Sequence, residues 1–142
     1  MQELVTTVRA TGAKNVIMVG GWNFSNNLTG WLANEPKDPL NNLAASFHNY
    51  NTSGCNDTAC WTLDVKPVAA QVPVITGELG ENDCAETYVN SFFAFADPLG
   101  ISYLGWAWNT DNCSTFPALI STYAGLPTAF GQAFMTHLPT QN

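Results

Sequence analysis

The sequence is poor in charge, and poorest in basic charge. Its 142 residues hold 4 Lys+Arg against 11 Asp+Glu, a formal net charge of −7 with only 11% of side chains charged. Four cations cannot form a basic patch, which excludes nucleic acid and anionic membrane surfaces as partners. No apolar run approaches the roughly 20 residues of a membrane-crossing helix. The opening Met1-Gln2-Glu3 is acidic and no apolar stretch follows it. No signal peptide is therefore read here, and a secreted origin expects a leader outside this chain. Histidine is scarce as well, with two residues. The four cysteines, Cys55, Cys60, Cys84 and Cys113, fit no common zinc spacing, so no metal or other cofactor is expected.

The remaining polar surface must come from Asn, Thr, Ser and Gln, alongside 12% aromatic residues that include five Trp. That composition suits an extracellular protein handling neutral polar ligands such as sugars. The length fits a single domain over residues 1–142 with a sizeable core. Two disulfides are expected, with three connectivities open. Cys55 and Cys60 bracket a short Asn-Asp-Thr-Ala loop and favour a local bridge, which leaves Cys84 and Cys113 to pair.

Four short, nearly continuous apolar runs read as strands buried on both faces: residues 15–21, 43–50, 72–78 and 101–108. Helical periodicity surrounds them at 3–10, 58–71 (with a break or kink expected at Pro67), 83–96 and 127–138. The order α-β-loop-β-α-β-α-β-α is that of an α/β fold with parallel strands. The stretch from Trp22 to Asn42 lacks periodicity, and so long an irregular segment usually carries function. Long polar loops leave the carboxyl end of every strand, whereas the turns entering the strands are mostly short. This asymmetry puts the site at the carboxyl face. Glu78 stands there, where Pro73-Val74-Ile75-Thr76-Gly77 ends, and a carboxylate so placed is costly to desolvate without a purpose.

Three ordered motifs then resemble the second half of the glycoside hydrolase family 5 barrel, the fold of endoglucanases and their relatives. His48-Asn49-Tyr50 resembles the family's His-x-Tyr at the end of strand six. Gly77-Glu78-Leu79-Gly80 resembles its Gly-Glu-φ-Gly at strand seven, where the Glu is the nucleophile. Trp108-Asn109 resembles the Trp and small polar residue that end strand eight. The resemblance covers nearly the whole chain. It implies half of a (β/α)8 TIM barrel, four parallel β/α units corresponding to strands five to eight.

The implied activity is retaining hydrolysis of β-1,4-glucan, endoglucanase-like, with a glucan oligosaccharide or polysaccharide as partner. Glu78 is the implied nucleophile, and His48 and Tyr50, two apart on one strand, share its side of the sheet and orient it or bind sugar. Trp108 is the implied stacking platform, with Trp106 alternating beside it and Trp22 serving a neighbouring subsite. The family's acid/base Glu lies in an Asn-Glu-Pro motif at strand four, a strand this chain is expected not to contain. Asn34-Glu35-Pro36 occurs instead between strands five and six. Asp111, Glu81 and Glu35 are thus the candidate acids. Four units cannot close a barrel, so a homodimer or higher self-association is expected to rebuild eight strands. The alternative is a noncatalytic or truncated half-barrel that keeps the carbohydrate-binding wall.

Overall fold

The computed structural model describes residues 1–141. Its chain runs α1 (Gln2–Ala10), β1 (Ile17–Gly20), a short turn of left-handed backbone α2 (Trp22–Ser25), β2 (Leu43–Tyr50), α3 (Thr58–Asp64), α4 (Lys66–Ala69), β3 (Val74–Gly80), α5 (Thr87–Ala96), β4 (Ser102–Gly105) and α6 (Ala129–His137). The four strands form one parallel sheet in the order β1-β2-β3-β4. Each strand neighbours the next in sequence, so every connection crosses one face of the sheet and the other face stays open.

The core lies between the sheet and the helices. Phe47, Thr76 and Leu79 point into it from the strands, and Trp61, Val65, Val89, Phe92, Phe93 and Phe130 meet them from the helical side. Trp61 meets the edge of Phe92 at a centroid distance of 5.0 Å, and Phe93 meets Phe134 at 5.0 Å. Each such buried aromatic contributes roughly 1.5–3 kcal/mol of burial. This layer holds the strands in register.

Several boundaries differ from the sequence reading. The helix expected over 58–71 divides into α3 and α4 at Val65, two residues before Pro67, whose ring fits only a helix's first turn. Asp57 opens α3 by accepting from the Cys60 N–H at 2.8 Å. The helix expected from residue 83 begins at Thr87 instead, because Ala85 N–H is taken by the Asp83 side chain in a turn. The last strand ends at Gly105 rather than Trp108, and the Trp106–Ala107 peptide is cis. β3 runs on to Gly80, so Glu78 lies inside the strand and not at its tip.

The unperiodic stretch after β1 is the crossover to β2, and buried polar side chains rather than a long helix hold it. Trp31 donates its indole N–H to the Val19 carbonyl of the edge strand at 2.9 Å. Asp64 accepts from Leu28 N–H at 2.7 Å and from the Thr29 hydroxyl at 2.9 Å. At its far end Asp38 takes two parallel bonds from Arg9, each 2.8 Å, with both side chains almost wholly shielded. That guanidinium, helped by the Asn42 and Leu40 N–H groups, holds the Asp38 carboxyl well below the usual carboxylate range.

Candidate active site

The sheet carries one irregularity, and it sits beside the conspicuous acid. Between β2 and β3 the pairing runs Phe47 with Thr76, then His48 with Glu78, leaving Gly77 as an extra residue. The same extra residue appears between β3 and β4, where Thr76 faces Tyr103 and Leu79 faces Gly105. A bulge of this kind breaks the alternation of side chains and re-aims them. Thr76 and Leu79 both enter the helix layer, fully buried. Gly77 and Glu78 are left to the open face.

The two glycines around Glu78 clear space for its neighbours. A Cβ on Gly77 would press on Met18 Cε, Ser46 Oγ and His48 Nε2 at 3.0, 3.2 and 3.4 Å. A Cβ on Gly80 would collide with the Tyr50 ring at 2.7 Å and Pro117 at 2.8 Å. Gly77 thus lets His48 lie across β3, and Gly80 lets Tyr50 pack between β3 and Pro117. Both side chains converge on one oxygen. Tyr50 donates its hydroxyl to Glu78 Oε2 at 2.5 Å, and His48 Nδ1 is 3.5 Å from the same atom. Burial and the adjacent Glu78 carboxylate push the Tyr50 phenol far above its ordinary value, so it stays a donor. Among the described residues no protein group bonds Oε1.

The other sequence candidates fall elsewhere. Glu81, only 3% exposed, accepts from the Tyr88 and Val89 N–H groups at 3.0 and 3.2 Å. It caps α5, and burial raises its pKa above the ordinary carboxyl value. Asp111 is exposed and accepts from the Asn109 side chain at 2.8 Å within its own loop. Glu35 lies exposed on the crossover, between the outer edge of β1 and the amino ends of β2 and β3. Among the described residues none of the three hydrogen-bonds to Glu78, Tyr50 or His48.

The expectation that Trp106 and Trp108 share a face is corrected. Tyr103 packs on Phe93 in the helix layer, and a Cβ on Gly105 would touch Leu119 and Phe134 there. Alternation therefore leaves Ser102, Leu104 and Trp106 on the open face with Glu78. Pairing with β3 reaches Trp106, whose backbone N–H donates to the Leu79 carbonyl at 2.9 Å. Trp108 instead lines an apolar groove with Gly105, Leu119, Phe134 and Leu138. Strand alternation does not extend to it, because pairing ends before it.

Sequence reasoning missed what holds the first loop. Trp22 and Asn27 exchange backbone bonds of 2.8 and 3.2 Å, closing a tight hairpin. Buried Asn26 anchors it, accepting from Cys55 N–H at 2.8 Å and donating to the His48 carbonyl at 2.9 Å. Asn23, Phe24 and Ser25 all take left-handed backbone, with φ of 51°, 54° and 66°, at a cost of roughly 1–2 kcal/mol each. Both expected disulfides are present, Cys55–Cys60 and Cys84–Cys113. The second joins the loop after β3 to the loop after β4.

Residues 1–112 match the profile of the cellulase family, glycosyl hydrolase family 5. The chain belongs to glycosyl hydrolase family 5. Mannan endo-1,4-beta-mannosidase of Streptomyces lividans is 28% identical over 110 residues, which are 72% of this chain and 28% of that protein. Among solved structures, a beta-glucanase from Saccharophagus degradans matches with a TM-score of 0.78 at 20% identity. The match covers 99% of this chain and 46% of that one. A beta-mannanase from Streptomyces thermolilacinus matches with a TM-score of 0.70 at 24% identity, covering 92% of this chain and 46% of that one. This family 5 chain thus spans about half the length of the solved relatives, and its fold is half of their (β/α)8 barrel.

Proposed function

We propose that this chain is the nucleophile-bearing half of a retaining glycoside hydrolase for β-1,4-glucan. The observation that carries the reading is Glu78 on the open face, gripped at Oε2 by Tyr50 beside His48. A retaining glycosidase needs a rigid carboxylate that attacks the anomeric carbon and then leaves it. Tyr50 fixes one oxygen of Glu78, and Oε1 is the oxygen that forms the glycosyl bond. As the leaving-group oxygen takes a proton from a general acid, the Glu78–sugar bond forms. Water then displaces Glu78 with the same acid acting as base. Trp106, on the same face as Glu78, is the stacking platform for the sugar at the point of cleavage, with His48 as a sugar or carboxylate contact. The general acid is supplied by a neighbouring half: a second copy of this chain, through Asp111, or an upstream half of a longer protein. Two disulfides support a secreted location.

Mannan is the second substrate reading, supported by the 28% identity to the Streptomyces lividans mannosidase. Pure protein tested on carboxymethyl-cellulose and on galactomannan separates the two. Glu78→Gln keeps the side-chain volume and removes the nucleophile, so turnover is expected to vanish with the fold intact. A variant retaining more than about a tenth of wild-type activity, a loss under roughly 1.4 kcal/mol, sinks the assignment. No turnover of either polymer by the wild type favours a noncatalytic half-barrel.

A further inference from the structure

The register of β2 on β3 ends where Tyr50 pairs with Gly80, and two loops leave the sheet there. A side chain then continues the ladder. Asn51 Oδ1 accepts from the Asn82 backbone N–H at 2.9 Å, one residue past Tyr50 and two past Gly80. Among the described residues this is the one hydrogen bond that joins the loop after β2 to the loop after β3. Both partners are themselves held. Ser53 N–H donates to the Tyr50 carbonyl at 2.9 Å, and Ser53 Oγ accepts from the Tyr50 N–H at 3.2 Å, which closes a turn around Asn51. The Asn56 side chain donates to the Asn51 carbonyl at 2.8 Å and ties that turn to the loop closed by Cys55–Cys60. On the other side Glu81, next to Asn82, is bound to the start of α5. The strand exits that carry Tyr50 and Glu78 are therefore joined on both sides of their contact. Backbone pairing joins them up to Gly80, and Asn51 with Asn82 joins them beyond it.

We infer that Asn51 is a positioning residue for the reaction: it holds the exit of β2 against the exit of β3 and so keeps the Tyr50 hydroxyl on Glu78. The inference rests on the reading of Glu78 as the nucleophile. Among the described residues no hydrogen bond joins Asn51 to Glu78 or His48, so its effect runs through Tyr50, its neighbour in the chain. A hydrogen bond from a hydroxyl to a carboxylate weakens steeply as its length and angle depart from the optimum. Small movements of one strand exit against the other are enough to spoil it. Asparagine suits the position for two reasons. Its short side chain is at home in a turn, and its amide oxygen accepts from backbone without adding charge beside the nucleophile. Because Glu78 forms its bond to sugar only as the transition state is reached, misplacing it should act on kcat rather than on KM.

Three variants test this. Asn51→Leu keeps the side-chain volume and removes the acceptor, Asn51→Ala removes both, and Asn51→Asp supplies an acceptor oxygen again. NMR of the whole protein with isotope-labelled tyrosine rings follows the Tyr50 phenol without needing turnover, its signal assigned by its absence from Tyr50→Phe. In the wild type Tyr50 should stay un-ionised well above the ordinary tyrosine value of about 10. In Asn51→Leu and Asn51→Ala it should ionise closer to that value. On carboxymethyl-cellulose or galactomannan the same two variants should lose about tenfold in kcat, with KM within about twofold of the wild type. Asn51→Asp should match the wild type in both readouts. A wild-type value of either the Tyr50 titration or kcat in Asn51→Leu and Asn51→Ala overturns the inference and leaves the reading of Glu78 standing. So does a rise in KM alone, which would set Asn51 on the substrate. An Asn51→Asp variant that behaves like Asn51→Leu overturns it as well, as does failure of both Asn51→Leu and Asn51→Ala to fold. If the wild type turns over neither polymer, the catalytic reading of Glu78 falls, and the titration alone decides whether Asn51 holds Tyr50 in place.

Discussion

At the scale of single residues, the division of labour around Glu78 follows from which oxygen is occupied. Tyr50 binds Oε2 at 2.5 Å and is itself wedged against Gly80 and Pro117. Tyr50→Phe keeps that wedge and removes one hydrogen bond to a charged group, worth roughly 1.5–3 kcal/mol. A fall in kcat of about 10- to 100-fold with a lowered melting temperature at neutral pH is therefore expected, and steady-state kinetics with a thermal melt checks it. The variant also has a signature in stability against pH. The folded state raises the Tyr50 pKa, so its contribution is complete below the unfolded value near 10 and is lost as pH rises above it. Tyr50→Phe should flatten part of the alkaline limb of the denaturation curve. Glu78, His48 and Tyr50 were legible because short motifs at strand ends carry them. Glu81 was not, because it caps α5 from seven residues before Tyr88, with no local capping spacing to reveal it. Asn26 was equally silent, since its partners His48 and Cys55 lie 22 and 29 residues away.

At the scale of elements, the exits of β3 and β4 are coupled twice. The Trp106 N–H bonds the Leu79 carbonyl, and Cys84–Cys113 closes a span of 29 residues between the two loops. Cross-linking a loop of that length stabilises by about 3–4 kcal/mol through the unfolded chain. Replacing both cysteines with Ser should lower the melting temperature by roughly 10 °C. Glycan binding through Trp106 should weaken as well, because the loop beyond β4 loses its tie to β3. An unchanged melt in the double variant would show that the bridge adds nothing to the fold. The four strands and the principal helices were readable from apolar runs and helical periodicity. The bulge at Gly77 was not, because a single extra residue leaves the run Val74 to Leu79 looking continuous. The face of Trp108 was misjudged for a related reason: alternation was extended past Trp106, the last residue of this segment whose N–H bonds β3.

At the scale of the whole molecule, a sheet of four parallel strands has two free edges and one uncovered face. Parallel sheets occur almost only with both faces covered. Here the crossover and Trp31 shield part of the β1 edge. Beside β4 a groove of about 630 Å³, lined by Trp108, Leu119, Phe134, Met135 and Leu138, lies open. Val16, Met18 and Leu104 are also exposed, near opposite edges of the sheet. A twofold pair of these chains would place β4 of one beside β1 of the other, cover both edges, and close eight strands around the open faces. Light scattering should accordingly return twice the 15.3 kDa of one chain at micromolar concentration. Leu104 is exposed in the single chain, so Leu104→Glu should leave its fold intact. In the pair it would set a charge among the side chains filling the barrel, and the mass should fall to that of one chain. Activity, where the pair supplies the general acid, should fall with it. A wild type that scatters as one chain and still hydrolyses glucan would rule out the pair and require an acid within one chain, with Glu35 the next to be replaced.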